Sequence, residues 1–401
     1  MRSDDTEKLL AEVERRAPID AVKLLDRQPD ADIAELLTRL NPSTAVKILW
    51  RFPESRRQGI LSKTSAEREA QWTRNHSYPE GTVGRLMEPA VAVFGLDTTA
   101  QEAIARLREL VKRAFITYGY VTDEDGILRG ILVMRDLMLA EPGQRLRGIM
   151  VRDPFFLTPE TDVTDAMRQV LHRHYPVYPI CDANGRLLGI VRGYDLFEEA
   201  TIELTAQTGR MVGVEKEERL ATPWWRSLKF RHPWLQLNLL TAFLAAAVVG
   251  FFQDTIDQLV ILAAFLPVLA GQSGNTGCQA LAVTLRGMTL GDLKTGTEKQ
   301  LVGKEALLGL LNGVLVGLTA GLAMYFYATR QHNPAALTLG IVVCVAMIGS
   351  CVISGVSGAL VPMGLKKLGA DPATASSIFL TTATDVASMG LLLGLATWLI
   401  L

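Results

Sequence analysis

The sequence predicts a multidomain chain: a short α-helical superhelix, an α+β tandem repeat, a connecting helix and a five-helix all-α transmembrane domain. Three observations predict it. The 401 residues change character near His232, from charge-rich to apolar and rich in Gly and Ala. The first part carries one repeat with a period of about twelve and a second repeat whose copies are 59 residues apart. The second part carries five long segments almost free of charge. The net charge of −1 averages over these two halves and identifies no partner.

The superhelix is assigned to residues 1–85. Segments 21–29, 33–42 and 45–53 each read as an amphipathic helix closed by a proline, at Pro29, Pro42 and Pro53. Such units cannot bury an apolar face alone, so they stack. Residues 1–20 are charged throughout and hold no apolar stretch of the kind a secretory signal needs.

The tandem repeat occupies 86–203. Asp123 to Leu137 aligns with Asp182 to Leu196. In each copy a D-x-x-G turn joins two short strands, and an Asp (Asp136, Asp195) then opens a helix. Helices are predicted ahead of each copy, at 100–110 and 163–172. The connecting segment, 204–232, is interrupted by Gly209, Gly213 and Pro223, which argues against one unbroken helix.

The transmembrane domain is 233–401, with spans at 233–253, 258–285, 306–329, 335–365 and 372–401. Each is long enough to cross a bilayer, which takes about 20 residues. Arg226, Lys229 and Arg231 precede the first; Arg286, Lys294, Lys299 and Lys304 join the second to the third; Lys366 and Lys367 join the fourth to the fifth. The other connections are poor in basic residues. The positive-inside rule therefore places the amino terminus in the cytoplasm and the carboxyl terminus outside. Gly309, Gly313, Gly317 and Gly321 recur every four residues, a spacing that lets helix backbones approach.

Two features carry chemistry. Asp385 is the one charged residue between Pro372 and Leu401. A carboxylate at that depth costs about 2.5–3.5 kcal/mol on insertion scales, and it is tolerated where it meets water, a cation or a buried partner. The second span reads Pro267-Val-Leu-Ala-Gly-Gln-Ser-Gly-Asn-Thr-Gly-Cys-Gln279. Its proline and glycines are expected to weaken the helix. Asn275, Thr276 and Gln279, with any freed carbonyls, are oxygen ligands suited to a hard cation. The four cysteines form no CxxC pair, and buried inert thiols are expected. No nucleophile–base pair and no GxxxxGK[ST] loop is present, so neither an enzyme nor a nucleotide-driven pump is expected. No nucleic-acid partner is expected either.

The tandem repeat resembles a pair of cystathionine-β-synthase-type (CBS) domains, which implies a sensory module of a class that often binds adenosine nucleotides. Its Asp is kept as Asp136 and Asp195. The position that usually carries a hydroxyl is Val133 in one copy and Arg192 in the other, which speaks against ribose recognition. The order of parts, with the second-span motif and the last-span segments Leu368-Gly-Ala-Asp371-Pro372 and Thr381-Thr-Ala-Thr-Asp385, resembles the MgtE-type magnesium transporters. That resemblance implies a multi-pass protein of the plasma or inner membrane, its soluble domains cytoplasmic, working as a homodimer with a pore between protomers. It puts the pore carboxylate on Asp385, with the backbone oxygen of Thr381 beside it, and the cytoplasmic-entrance carboxylate on Asp371. It also implies a connecting helix that plugs the pore. The helical domain is shorter than the family's pattern, and position 278 is Cys278, a poor ligand for Mg²⁺.

The expected cargo and regulator is Mg²⁺, entering passively down the membrane potential. Glu198, Glu199 and Glu203, followed by Glu215, Glu217 and Glu218, and Asp123, Glu124, Asp125 and Asp136 in the tandem repeat, would repel one another when Mg²⁺ is scarce and close together around it when it is plentiful. The alternative is a proton- or sodium-coupled carrier of another divalent metal such as Mn²⁺ or Co²⁺.

Overall fold

A computed structural model describes residues 3–112, 114–173, 175–293 and 296–401. Lys294, counted above among the basic loop residues, lies outside them. The chain divides into two compact units, 1–205 with 217–223, and 206–216 with 224–401.

In the first unit, α1 (Ser3–Glu14), α2 (Pro18–Leu25), α3 (Asp30–Arg39), α4 (Pro42–Leu49), α5 (Glu54–Leu61) and α6 (Ala66–Ser77) form the superhelix. Prolines start α2 and α4, where a missing N–H costs nothing. Asn41 caps α4 by accepting from the Ser43 N–H at 3.0 Å. Leu25, Ile33, Leu37, Ile48, Leu49 and Trp72 make one shared core.

The tandem repeat follows. Its first copy contains β1 (Val93–Gly95), α7 (Ala100–Leu110), β2 (Tyr118–Thr122), β3 (Leu128–Val133), α8 (Met134–Leu139) and β4 (Val151–Arg152). The strands form one sheet in the order β1-β2-β3-β4, with β1 parallel to β2 and the other pairs antiparallel. The second copy contains α9 (Val163–Val170), β5 (Val177–Cys181), β6 (Leu187–Arg192) and the start of α10 (Gly193–Arg210). Gly126 and Gly185 occupy the left-handed region at φ 78° and 81°, as the two turns require. One detail differs from the sequence reading: Asp136 and Asp195 lie in the first turn of their helices rather than at the cap position.

The second unit holds α11 (Trp224–Phe251), α12 (Gln253–Gln258), α13 (Leu266–Leu290), α14 (Glu298–Arg330), α15 (Ala336–Lys367) and α16 (Pro372–Ile400). By length and composition α11, α14, α15 and α16 can each cross a membrane. The remaining predicted span, the second, differs in two ways. Its helix begins at Leu266, after a 3₁₀ segment at Val260–Ala264. It is also less apolar, because Gln272, Ser273, Asn275, Thr276 and Gln279 lie along it. With 25 residues it is still about 37 Å long, enough to span.

The expected weakening of this helix does not occur. Pro267 sits in the first turn, where proline is tolerated, and the helix runs unbroken past Gly271, Gly274 and Gly277. Its carbonyls therefore stay in the helical ladder. The irregular backbone lies upstream, at residues 259–265. The first span also starts earlier than predicted, with Pro233 inside α11.

Glycines set the packing of α14 on α15. A Cβ at Gly309 would stand 2.5 Å from the Cys351 carbonyl, and one at Gly321 the same distance from the Gly340 carbonyl. Gly309→Val should destabilise the membrane unit by about 1–3 kcal/mol, because backbone must move. Gly303→Ala, with open space around it, should leave the unfolding midpoint in detergent unchanged.

Candidate functional site

The membrane half first brings its polar residues onto two packed helices. A Cβ at Gly277 of α13 would lie 3.0 Å from Leu380 and 3.2 Å from Thr384 of α16. Ser273 Oγ, one turn away, points to the Thr384 carbonyl at 3.5 Å. This close seam fixes which side of α13 faces inward. Asn275 and Gln279 lie about half a turn around from Ser273 and Gly277, and both are exposed, as is Gln272. An amide stripe inside an apolar span is thus turned away from the rest of its own chain.

Asp385 lies one turn beyond Thr381 on α16. It is half-buried, and among the described residues its carboxylate takes no hydrogen bond or ion pair. The Thr381 hydroxyl donates to the Ser377 carbonyl at 2.7 Å, and the Thr381 carbonyl accepts from the Thr384 hydroxyl at 2.9 Å, so that backbone oxygen is already engaged. Thr276 is turned inward. Its hydroxyl donates to the Gln272 carbonyl at 3.0 Å and approaches Cys351 Sγ of α15 at 3.7 Å. The structure thus presents Asn275 and Gln279 outward and withdraws Thr276.

Asp371 caps α16, accepting from the Ala373 N–H at 2.9 Å and the Thr374 hydroxyl at 2.7 Å. Its other neighbour is Arg210, whose Nε lies 3.7 Å from Asp371 Oδ2. Gln207, three residues earlier, accepts from the Thr289 hydroxyl near the end of α13 at 3.0 Å. The connecting segment therefore reaches the ends of both polar helices. Sequence reasoning counted the acidic residues of this segment and missed Arg210. The signal was there: Arg210 is the one basic residue between Gly193 and Glu215.

Among the described residues no three His, Cys, Asp or Glu gather closely enough to hold a metal ion. One chain offers an isolated carboxylate and neutral oxygens. That set cannot replace the waters of a small divalent ion, but it can hydrogen-bond to them.

The cytoplasmic carboxylates fall into separate places. Asp136 pairs with its neighbour Arg135 at 2.9 Å. Asp123 holds its own turn, accepting from the Asp125 and Ile127 N–H groups and pairing with Arg129. Glu203 is half-buried one turn beyond Glu199 on α10. Asp195, Glu198 and Glu199 form a group against α4. Glu199 is 3% exposed and pairs with Lys47 at 2.9 Å. Asn41 Nδ2 donates to Glu198 Oε2 at 2.9 Å and lies 3.3 Å from the Asp195 carbonyl. Glu199 therefore has no open side for a metal, and a regulatory ion does not fit there.

A cleft of about 200 Å³ lies between the two copies, lined among others by Phe115, Tyr118, Val177, Arg192 and Tyr194. It offers ring faces to a flat ligand. At the position of the missing hydroxyl it offers a guanidinium, already held by Glu88 at 3.1 Å.

Asp195 is the strained member of its group. Burial first, then the nearby Glu88 and Glu198 carboxylates, push its carboxyl up to about 6, against the pull of Arg192. The folded unit keeps this proton while an unfolded chain has released it at its ordinary value of 3.8. Stability from this group is complete below that value, falls as pH rises toward about 6, and then levels off, a loss of up to about 3 kcal/mol. Asp195→Asn should remove that decline, which thermal unfolding of wild type and variant across this pH window would reveal.

Comparisons with known proteins fit this layout. The MgtE family model, described as a divalent cation transporter, matches residues 266–395. The CBS domain model matches 83–143 and 146–201. The magnesium transporter MgtE of Enterococcus faecalis is 30% identical over 313 residues, covering 78% of this chain and 68% of that protein. The magnesium transporter MgtE of Bacillus subtilis is 28% identical over 322 residues, covering 80% and 70%. A crystal structure of the cytosolic domain of the Mg²⁺ channel MgtE in complex with ATP shows 26% identity over 47% of this chain and 78% of that one, with a TM-score of 0.42.

Proposed function

The chain belongs to the MgtE family of divalent cation transporters, and from that premise we propose that it is a passive Mg²⁺ channel of the cell membrane, with Asp385 as the pore carboxylate. The observation that carries this is Asp385 itself: a carboxylate on an otherwise uncharged membrane helix, with no ion pair among the described residues, beside a helix whose amides face away from its own fold. Polar groups left against hydrocarbon cost several kcal/mol each, so that face needs water or protein against it. A second copy of this chain supplies both. Two protomers then place two Asp385 carboxylates around one aqueous path.

The chemistry follows from the ion. Mg²⁺ sheds its waters reluctantly and prefers six oxygens in a regular octahedron. A pore lined by one carboxylate per protomer, with Asn275 and Gln279 on the helix that packs against α16 at Gly277 and Thr384, would take the hydrated ion through outer-sphere hydrogen bonds. Weak, multiple contacts also let the ion leave. An inside-negative potential contributes about 4.6 kcal/mol per 100 mV to a divalent ion, so no coupled energy source is required. Asp371 would attract ions at the cytoplasmic mouth, where Arg210 competes for it.

Gating by cytosolic Mg²⁺ belongs to the same proposal. Carboxylates of the CBS pair and connecting segment, Glu203 and Asp136 among them, would be screened by the ion and let the connecting segment rest against the ends of α13 and α16.

Mg²⁺ uptake into proteoliposomes tests the proposal. Wild-type uptake should accelerate under an inside-negative potassium diffusion potential and need no proton or sodium gradient. Asp385→Asn should cut it by about tenfold or more, which corresponds to about 1.4 kcal/mol or more of lost interaction with the ion. Uptake by Asp385→Asn at the wild-type rate would overturn the pore assignment. A strict requirement for a proton or sodium gradient would instead mark a coupled carrier.

A further inference from the structure

We propose that the superhelix is latched onto the second CBS domain by its own lysine, Lys47, and that this docking needs no divalent ion. The inference deepens the gating proposal and rests on it for its functional meaning, though not for its structural test.

The geometry is specific. Lys47 Nζ lies 2.9 Å from Glu199 Oε1, with the lysine side chain 16% exposed and the glutamate 3%. Six residues before Lys47, Asn41 binds Glu198 through its side-chain amide. One turn after it, Arg51 pairs with Glu217 at 3.1 Å. One face of α4 and its flanks therefore meets three glutamates with two cations and an amide. Residues 41–53 contain no Asp or Glu at all. A metal bridge between α4 and α10 needs oxygen ligands from both sides, and this side provides none that is charged.

The burial decides the competition. A hydrated Mg²⁺ cannot reach a carboxylate that is almost fully covered, and it gives up water slowly. A buried pair that loses one member leaves the other charge uncompensated, so the latch is held by the cost of opening it as much as by attraction. In a tethered cation the positive charge is always present at high local concentration, whatever the cytosolic Mg²⁺ level. The superhelix then stays docked when Mg²⁺ is scarce. Sensing is left to the carboxylates of the CBS pair and the connecting segment.

The test is amide hydrogen exchange on the full chain in detergent, with chelator and with Mg²⁺. In wild type, exchange across Pro42–Leu49 should be equally slow in both conditions. Lys47→Gln and Glu199→Gln should each speed it about tenfold or more in chelator, while α3 keeps its protection and so reports an intact superhelix core. The exchanged pair, Lys47→Glu with Glu199→Lys, should restore slow exchange. Protection that appears in wild type only with Mg²⁺ overturns the proposal, and so does a swapped pair that exchanges as fast as the single variants. Uptake measured on the same preparations separates the two ideas: if internal Mg²⁺ inhibits none of them, gating by Mg²⁺ fails while the latch result stands.

Discussion

The membrane half is organised around one conflict. α13 and α16 must lie among apolar surroundings, yet they carry Gln272, Asn275, Gln279, Thr381 and Asp385 on faces that are exposed or half-exposed in the single chain. Lipid cannot satisfy such groups. Close helix packing holds them in place without letting the fold absorb them. Ser273 and Gly277 on one helix, and Leu380 and Thr384 on the other, make a seam too close for the polar stripe to turn inward. The glycine ladder of α14 against α15 gives that seam a rigid backing.

The cytoplasmic half solves a different electrostatic problem. It is rich in carboxylates near the connecting segment, and isolated buried carboxylates are costly. The structure deals with them locally and unequally. Glu199 is neutralised by Lys47, Asp123 is consumed by its turn, Asp136 is paired with its neighbour, and Asp195 is left strained. A uniform acidic surface that senses an ion as a whole is not what these contacts describe. The basic residues Lys47 and Arg210 matter as much as the acids, and each sits against one of them.

Much of this was legible in the sequence. The repeats with their proline-marked turns, the D-x-x-G turns and the lone charge at Asp385 announce their roles because each depends on local chemistry or on contrast with its surroundings. The regular course of α13 was not legible. Proline and glycine weaken an isolated helix, but Pro267 falls in the first turn and Gly277 is used for close approach, and both facts belong to the assembled fold. The inward turn of Thr276 toward Cys351 is likewise a rotamer choice made by packing. Lys47 and Arg210 were overlooked because pairing across 152 and 161 positions of chain leaves no local trace.

The most direct measurement of the central claim, that the amide stripe of α13 borders an ion path, is thiol accessibility. In a Cys278→Ser background, cysteines placed at Asn275 and Gln279 should react with a charged, membrane-impermeant thiol reagent, and Mg²⁺ should slow that reaction. A cysteine at Leu315, exposed on α14, should stay inert. If the two α13 positions prove as unreactive as Leu315, the stripe faces hydrocarbon or another helix, and the account is wrong.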